Sequence, residues 1–568
     1  MIVSAISLWR EFKLNTPLGA SEWGIEKRKG MVFSHVSYSG HTSEAGDGAV
    51  RIYGKFARPL KAGKYPVVLL LPDAGKPLDE ELLQYFVDRG YAVLMPDYSG
   101  KMQGDGDNVF RTVYPPSLMH GNFEQSRGLY DLSMLEVTET TWFEWTYVAL
   151  YSLEYLKSRE DVGNIGVVGI RKGGELAWQV MLSPAVKCGV AVNAIGWRSF
   201  QSLAKFGDNV AHDLSNDTHR YIAAIEAQSY APYVKCPVLM LCALRDDSFD
   251  CDRAYDTYSR IGNTDGNVLV YSADSGACIG ARGLTDLDLF LEKNLKDRAI
   301  YVPDTLNVAL KETSEGIQVL VEGDDEGILD EAGVFYAEAD VTTKSDYREW
   351  RRVYKVDGKS VKDGKFSCKI KPFEGATAAF VYAYAKYING FTVMSKITAK
   401  KFLGANPRAV KSRRLFTGKE LDCFGVAQYE DYSIGEIFLE KEAAPKITYG
   451  YGNITGAYSV GGIKTYKISS PEYIPDENAF LKFDVYFQTD EELKISVESA
   501  DTRKKGERYT CVVPVKGGGK FKRIILKAAD FKGERFGSSL QNFSDGRALL
   551  FSCENENSEF AVTNIIWL

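Results

Sequence analysis

The stretch NIGVVGIRKGGELAW, residues 164–178, runs from apolar β-branched residues through a glycine-rich turn into a helical pattern. That is the layout of a nucleophile elbow, a sharp strand-to-helix turn of the form Gly-x-nucleophile-x-Gly that presents one side chain to a cleft. Here the elbow reads Gly169-Ile170-Arg171-Lys172-Gly173, so its tip is Arg171. A guanidinium stays protonated at any ordinary pH and has no lone pair to offer, so Arg171 cannot attack a carbonyl carbon. What it can do is attract an anion or pair with a carboxylate. No Gly-x-Ser-x-Gly occurs anywhere in the 568 residues.

Other residues with the right chemistry are few. The histidines are His35, His41, His120, His212 and His219. His120 and His212 could reach a pocket from flanking loops, although a lone loop histidine is more often a packing or surface residue. Asp246 and Asp247 follow the apolar run PVLMLCAL, where a carboxylate can serve a site or simply form a turn. Cys278 has no histidine in its loop to lower its pKa and reads as a packed thiol. The 9 cysteines, an odd number without CxxC spacing, suggest reduced thiols rather than a disulfide framework or a zinc site, and neither metal nor cofactor is expected. In TYGYGNITGAYS, Tyr449, Tyr451 and Tyr458 sit in a glycine-rich, loop-like context where rings could stack on a pyranose face or pack in a core.

These residues need elements to position them. From Met31 to about residue 298, β-branched runs alternate with helical patterns, the signature of a mostly parallel sheet with helices on both faces. Strands are predicted over 49–57, 66–72, 91–97, 165–170, 188–195, 237–244 and 267–273, with a helix over 140–158. The segment 196–229 interrupts the alternation and is a candidate lid over the sheet's carboxyl edge. The predicted division is an α/β domain over 1–298, a β-sandwich of immunoglobulin or fibronectin type III kind over 299–405, and a jelly roll over 415–568. The basic stretch from Lys400 to Arg414 reads as a solvated linker.

The segments VRIYGKFARPLKAGKYPVVLLLPDAGK, GYAVLMPDYSG, the elbow and APYVKCPVLMLCALRDD resemble the α/β-hydrolase superfamily, and within it the dienelactone hydrolase and acetyl xylan esterase-like branch. The resemblance spans roughly residues 30–298. It implies that Arg171 stands where the nucleophile belongs and that Asp246, with Asp247 as second choice, stands where the triad acid belongs. It also implies a histidine after the last strand, but all five histidines precede Asp246, and the matching region holds Gly276, Ala277 and Cys278. The turn PDAGK lies where the oxyanion loop belongs, so the amides of Ala74 and Lys172 are expected to face the pocket, and Arg171 is expected to meet Asp246 across it. Through FKRIILKAADFKGERFGSSLQNFSDGRALLFSCENENSEFAVTNIIWL, the last region is similar to galactose-binding-like jelly rolls found among carbohydrate-binding modules.

Composition narrows the partners. With 45% hydrophobic and 26% charged residues the chain is an ordinary folded protein, and a net charge of -7 argues against nucleic acid or an anionic membrane surface as partner. No apolar run is long enough to span a membrane, and the start MIVSAISLWREFKLN lacks a signal's basic n-region, so the chain as given is expected in the cytoplasm, or outside if a signal was removed. The leading expectation is a catalytically degenerate α/β-hydrolase-fold protein acting as a carbohydrate-associated binding or scaffolding protein. The alternatives are an esterase or other hydrolase on acylated sugars with a non-standard catalytic set, or a chain whose domains serve only an assembly.

Overall fold

A computed structural model describes residues 5–10, 12–102, 110–130, 135–200, 216–244, 251–272, 279–324, 326–339, 351–373, 376, 378–401, 410–418, 425–426, 446–449, 454–469, 472–499, 507–555 and 557–568. Asp246, Asp247, His212, Gly276, Ala277, Cys278 and Tyr451 lie outside the described residues.

The first sheet contains β1 (Ser21–Arg28), β2 (Met31–Thr42), β3 (Ala49–Pro59), β4 (Tyr65–Leu71), β5 (Ala92–Pro96), β6 (Val162–Ile170), β7 (Val186–Val192), β8 (Val238–Ala243) and β9 (Val268–Ser272), ordered β1-β2-β3-β5-β4-β6-β7-β8-β9. From β5 to β9 the pairs are parallel, and β1 to β3 add an antiparallel flank. Strands β5, β8 and β9 are buried at every position, which is why they read as unbroken apolar runs. The sequence reading misses β1 and β2. Strand β1 (SEWGIEKR) is almost wholly exposed and charged, as an edge strand guarded against pairing with other chains must be, so it carries no apolar signal.

Helices α1 (Glu80–Asp88), α2 (Thr141–Lys157), α3 (Lys172–Val180), α4 (Asn216–Ala224) and α5 (Gly280–Leu295) accompany the sheet. The Asp79 carboxylate accepts the Glu81 amide at 2.8 Å and the Thr140 hydroxyl accepts that of Phe143 at 3.3 Å, so α1 and α2 each start on a side-chain cap. Of the candidate lid, α4 and the turn Ala227–Tyr230 are helical, and 201–215 lie outside the described residues.

Residues 307–401 form a three-stranded and a five-stranded antiparallel sheet, but they do not make a separate core. One apolar cluster runs from Trp9 through the first sheet to Ile397. At the seam the Tyr271 amide donates to Met394 Sδ at 3.0 Å, and the Thr392 amide donates to Asp286 Oδ1 on α5 at 2.8 Å. Asp286 is fully buried, and burial pushes its carboxyl well above the usual range. A raised folded-state pKa stabilises fully only below about pH 4, where the unfolded carboxyl is also protonated, and this contribution is lost as pH rises toward the folded value. Asp286→Asn keeps an acceptor for Thr392 and cannot ionise. It is expected to match the wild type near pH 4 and to be more stable at pH 7 by about 1–3 kcal/mol, checked by urea unfolding at both values.

Residues 414–568 hold two six-stranded antiparallel sheets around a second apolar core from Leu415 to Trp567. Tyr458 lies inside the strand Thr455–Val460, paired with Lys446 and Ala561, and Tyr449 ends the strand Lys446–Tyr449. These two tyrosines are therefore on hairpin strands, where the glycine-rich spacing suggested a loop. Among the described residues no helix is long and apolar enough to cross a membrane.

Candidate functional site

The elbow forms where β6 meets α3. Arg171 adopts φ 51°, ψ -112°, a conformation that costs a non-glycine residue about 1–3 kcal/mol and persists only when its surroundings enforce it. They do so by close approach. The Arg171 amide donates to Val192 O at 2.8 Å, and a Cβ on Gly169 would lie 2.4 Å from Gly173 O, one on Gly174 2.4 Å from Ala194 Cβ. The glycines of the motif thus let the turn close, whatever residue occupies its tip.

Beside the elbow, β4 ends in the turn that sequence reasoning assigned to an oxyanion loop. The Ala74 and Lys172 amides both donate to one atom, Asp73 Oδ1, at 3.0 and 3.3 Å, and Lys172 Nζ stands 3.5 Å from it. Two backbone donors and an ammonium around a single oxygen are what an acyl-transfer site prepares for a developing oxyanion. Here the chain's own carboxylate supplies that oxygen. Asp73 is buried, and its loop is braced by Gly75 N to Ser99 Oγ at 3.1 Å and Tyr98 OH to Pro72 O at 2.5 Å. Sequence reasoning named the two amides and missed Asp73, the second residue of the same turn, because an aspartate after a strand reads as an ordinary turn former.

The pocket over the elbow is lined by Arg171, Lys172, Glu175, Arg198 and Glu226, with Trp142 and Tyr221 among its walls, and encloses about 40 Å³. That is room for about three water molecules. Glu175 Oε1 accepts the Gly196 amide at 3.1 Å, while Glu226 Oε1 accepts the Ser199 amide at 2.7 Å and its hydroxyl at 3.0 Å. Two carboxylates thus tie down the stretch from Gly196 to Ser199. Burial, with the like charge of Glu226 adding, pushes the Glu175 carboxyl up to about 7. Its stabilising contribution is present below about pH 4 and lost as pH rises to 7, so Glu175→Gln is expected to raise stability by about 2 kcal/mol above pH 7 and to change little at pH 4, measured by unfolding across that range.

None of the described histidines lines this pocket. His120 is buried beside Arg127, at 3.2 Å, and burial with that charge pulls its pKa down to about 4. His35 shares a hydrogen bond with Tyr53 OH at 2.7 Å, and His41 stands 3.1 Å from the buried Glu144. His219 lies exposed on α4. Asp246 lies outside the described residues, so its expected pairing with Arg171 is not described either.

Residues 52–274 match the dienelactone hydrolase family. Similar solved structures include the acetyl xylan esterase of Paenibacillus sp. R4, at 19% identity over 48% of this chain and 86% of that one with a TM-score of 0.37. Acetyl xylan esterase 1 of Thermoanaerobacterium sp. JW/SL YS485 follows at 18% identity over 51% of this chain and 92% of that one, with a TM-score of 0.36. No curated protein matches the chain. With its parallel strands in the order β5-β4-β6-β7-β8-β9 and its elbow after β6, the segment 52–274 is a dienelactone hydrolase family domain with the α/β-hydrolase fold.

Proposed function

We propose that this chain is a hydrolase-fold protein that binds rather than hydrolyses, with a carbohydrate or acylated sugar as its ligand. The observation that carries the reading is Asp73 Oδ1 accepting the Ala74 and Lys172 amides at 3.0 and 3.3 Å beside an elbow tipped by Arg171. The site that should hold a transition-state charge already holds a ground-state one, and the residue that should attack is a cation. Ester hydrolysis by the full chain tests it, with p-nitrophenyl acetate and acetylated xylan as substrates. No release above the buffer rate is expected, and turnover that survives repeated purification and Arg171→Ala overturns the reading. The rival, an esterase with a non-standard catalytic set, draws support from the strained elbow conformation kept within a dienelactone hydrolase family domain.

A further inference from the structure

Residues 414–568 end one of their two sheets on an open strand. Among the described residues Lys522–Lys527 pairs only with Phe480–Tyr486, in unbroken register from Lys527 against Phe480 to Lys522 against Val485. The direction of its backbone groups follows from the next pair along the sheet. Phe480 and Leu568 exchange both bonds, at 3.1 and 2.9 Å, so the Phe480 groups point away from Lys527. Antiparallel bonding alternates along a strand, so Ile524 and Leu526 bond to Phe480–Tyr486 while Arg523, Ile525 and Lys527 turn N–H and C=O to the open edge. Asp530 Oδ2 accepts the Lys527 amide there at 2.9 Å, and among the described residues nothing takes those of Arg523 and Ile525. The side chains of this edge are apolar at the centre and basic around it. Ile525 is 52% exposed, and Phe480 and Leu568 on the same face are 45% and 51% exposed. Lys482 lies opposite Ile525, Lys527 opposite Phe480, and Arg414 opposite Ile566. Asp484 is buried and already accepts from Arg523 at 3.0 Å and Asn564 at 2.8 Å, while Lys482, Lys527 and Arg414 form no ion pair among the described residues.

We propose that this edge takes an extended acidic peptide segment of a protein partner as one more strand, its pattern acidic, three apolar, acidic. The free N–H and C=O of Arg523 and Ile525 supply the ladder, the mode in which main-chain bonds give affinity and alternate side chains give specificity. Strand alternation sets the first, third and fifth residues of the segment on the outer face, so its central apolar side chain meets Ile525 and its carboxylates meet Lys527 and Arg523. The two apolar residues between turn to the other face and extend the core past Ile524, which is half-buried, and Leu526, which is buried. A second copy of the chain fits poorly, because antiparallel pairing centred on Ile525 sets Arg523 against Lys527, and like charges directly opposite are destabilising. An anionic membrane would meet the face of the sheet and leave the backbone groups of its edge unbonded. Charged side chains and bulges commonly guard a sheet edge; this one carries charges that select an acidic strand, in a register with no bulge. The inference does not depend on the elbow pocket or on a sugar ligand.

Fluorescence anisotropy of the full chain with a labelled Thr-Glu-Val-Ile-Val-Glu-Thr peptide tests it, together with amide hydrogen exchange read by mass spectrometry. Expected are saturable binding, slowed exchange over 522–527 when the peptide is bound, and no binding of the matching peptide with lysine in place of glutamate. Ile525→Pro removes an outward N–H at a place where an edge strand tolerates proline, and it is expected to weaken binding by about tenfold or more. Because the exchange readout needs no variant, it stands even if that substitution disturbs the strand. No binding at millimolar peptide overturns the proposal, as do equal binding of the lysine peptide, exchange over 522–527 unchanged by the peptide, affinity unchanged in Ile525→Pro, or capture of the chain by phosphatidylglycerol vesicles in place of the peptide.

Discussion

Replacing Arg171 with serine is expected to leave the protein without measurable esterase activity, even though the substitution restores Gly-x-Ser-x-Gly on a backbone already bent for it. A serine hydroxyl needs a base, and no described histidine lines the pocket. A site stripped of its triad still retains about 10³–10⁴-fold catalysis over water from its oxyanion hole and binding. On the proposed reading of the Ala74 and Lys172 amides as the oxyanion donors, that remainder is lost here as well, because Asp73 Oδ1 takes both. Removing a single oxyanion donor costs about 10²–10³ in kcat, so engaging two leaves little to detect. Arg171→Ser is therefore expected to match the buffer control. The double variant Arg171→Ser with Asp73→Ala, which frees the amides, is expected to gain at most about 10³–10⁴ over water. Steady-state hydrolysis of p-nitrophenyl acetate reads both, and a single variant turning over well above that level would mean that a carboxylate of the pocket, Glu175 first, serves as the base.

How much of this was legible in the sequence follows from what kind of signal each feature leaves. Strands β5, β8 and β9 are apolar throughout because both faces are covered, so a run such as YAVLMPD announces itself. Strand β1 has the opposite requirement, and its charges hide it. The elbow was legible because three glycines in six residues have no other economical purpose, and the positions of Gly169, Gly173 and Gly174 bear this out in contacts that admit no side chain. Asp73 was harder. An aspartate after a strand is a common turn former, and nothing in its neighbours says that its oxygen meets an amide 99 positions away. The shared core of the first two regions was invisible for the same reason, since Asp286 and Thr392 meet only through the tertiary fold.

Gly173→Ala is expected to destabilise the α/β domain by about 3 kcal/mol or more, against the sign that helix propensity alone would give. Residue 173 lies in the first turn of α3, and in an ordinary exposed helix interior alanine is favoured over glycine by about 1 kcal/mol. Here an added Cβ would stand 2.2 Å from Leu71 O and 2.4 Å from Pro72 O, distances that real Cβ atoms do not reach. When overpacking meets side chains they can rotate away, and the cost is about 1–3 kcal/mol. These atoms are carbonyls at the end of β4, inside a sheet where β4 is bonded to β5 and β6, so α3 must move instead. That shift pulls Arg171 N from Val192 O, opens the contact of Gly174 with Ala194, and draws the Lys172 amide off Asp73. One methyl group thus strains the elbow and the contacts of Asp73 with the two amides together. Gly46→Ala is the control: its φ of +76° carries the backbone penalty, but no atom lies within 4 Å of the added carbon, so a cost near 1 kcal/mol is expected. Urea unfolding of both variants decides it, and a Gly173→Ala midpoint no lower than that of Gly46→Ala would refute the close-approach account of the elbow.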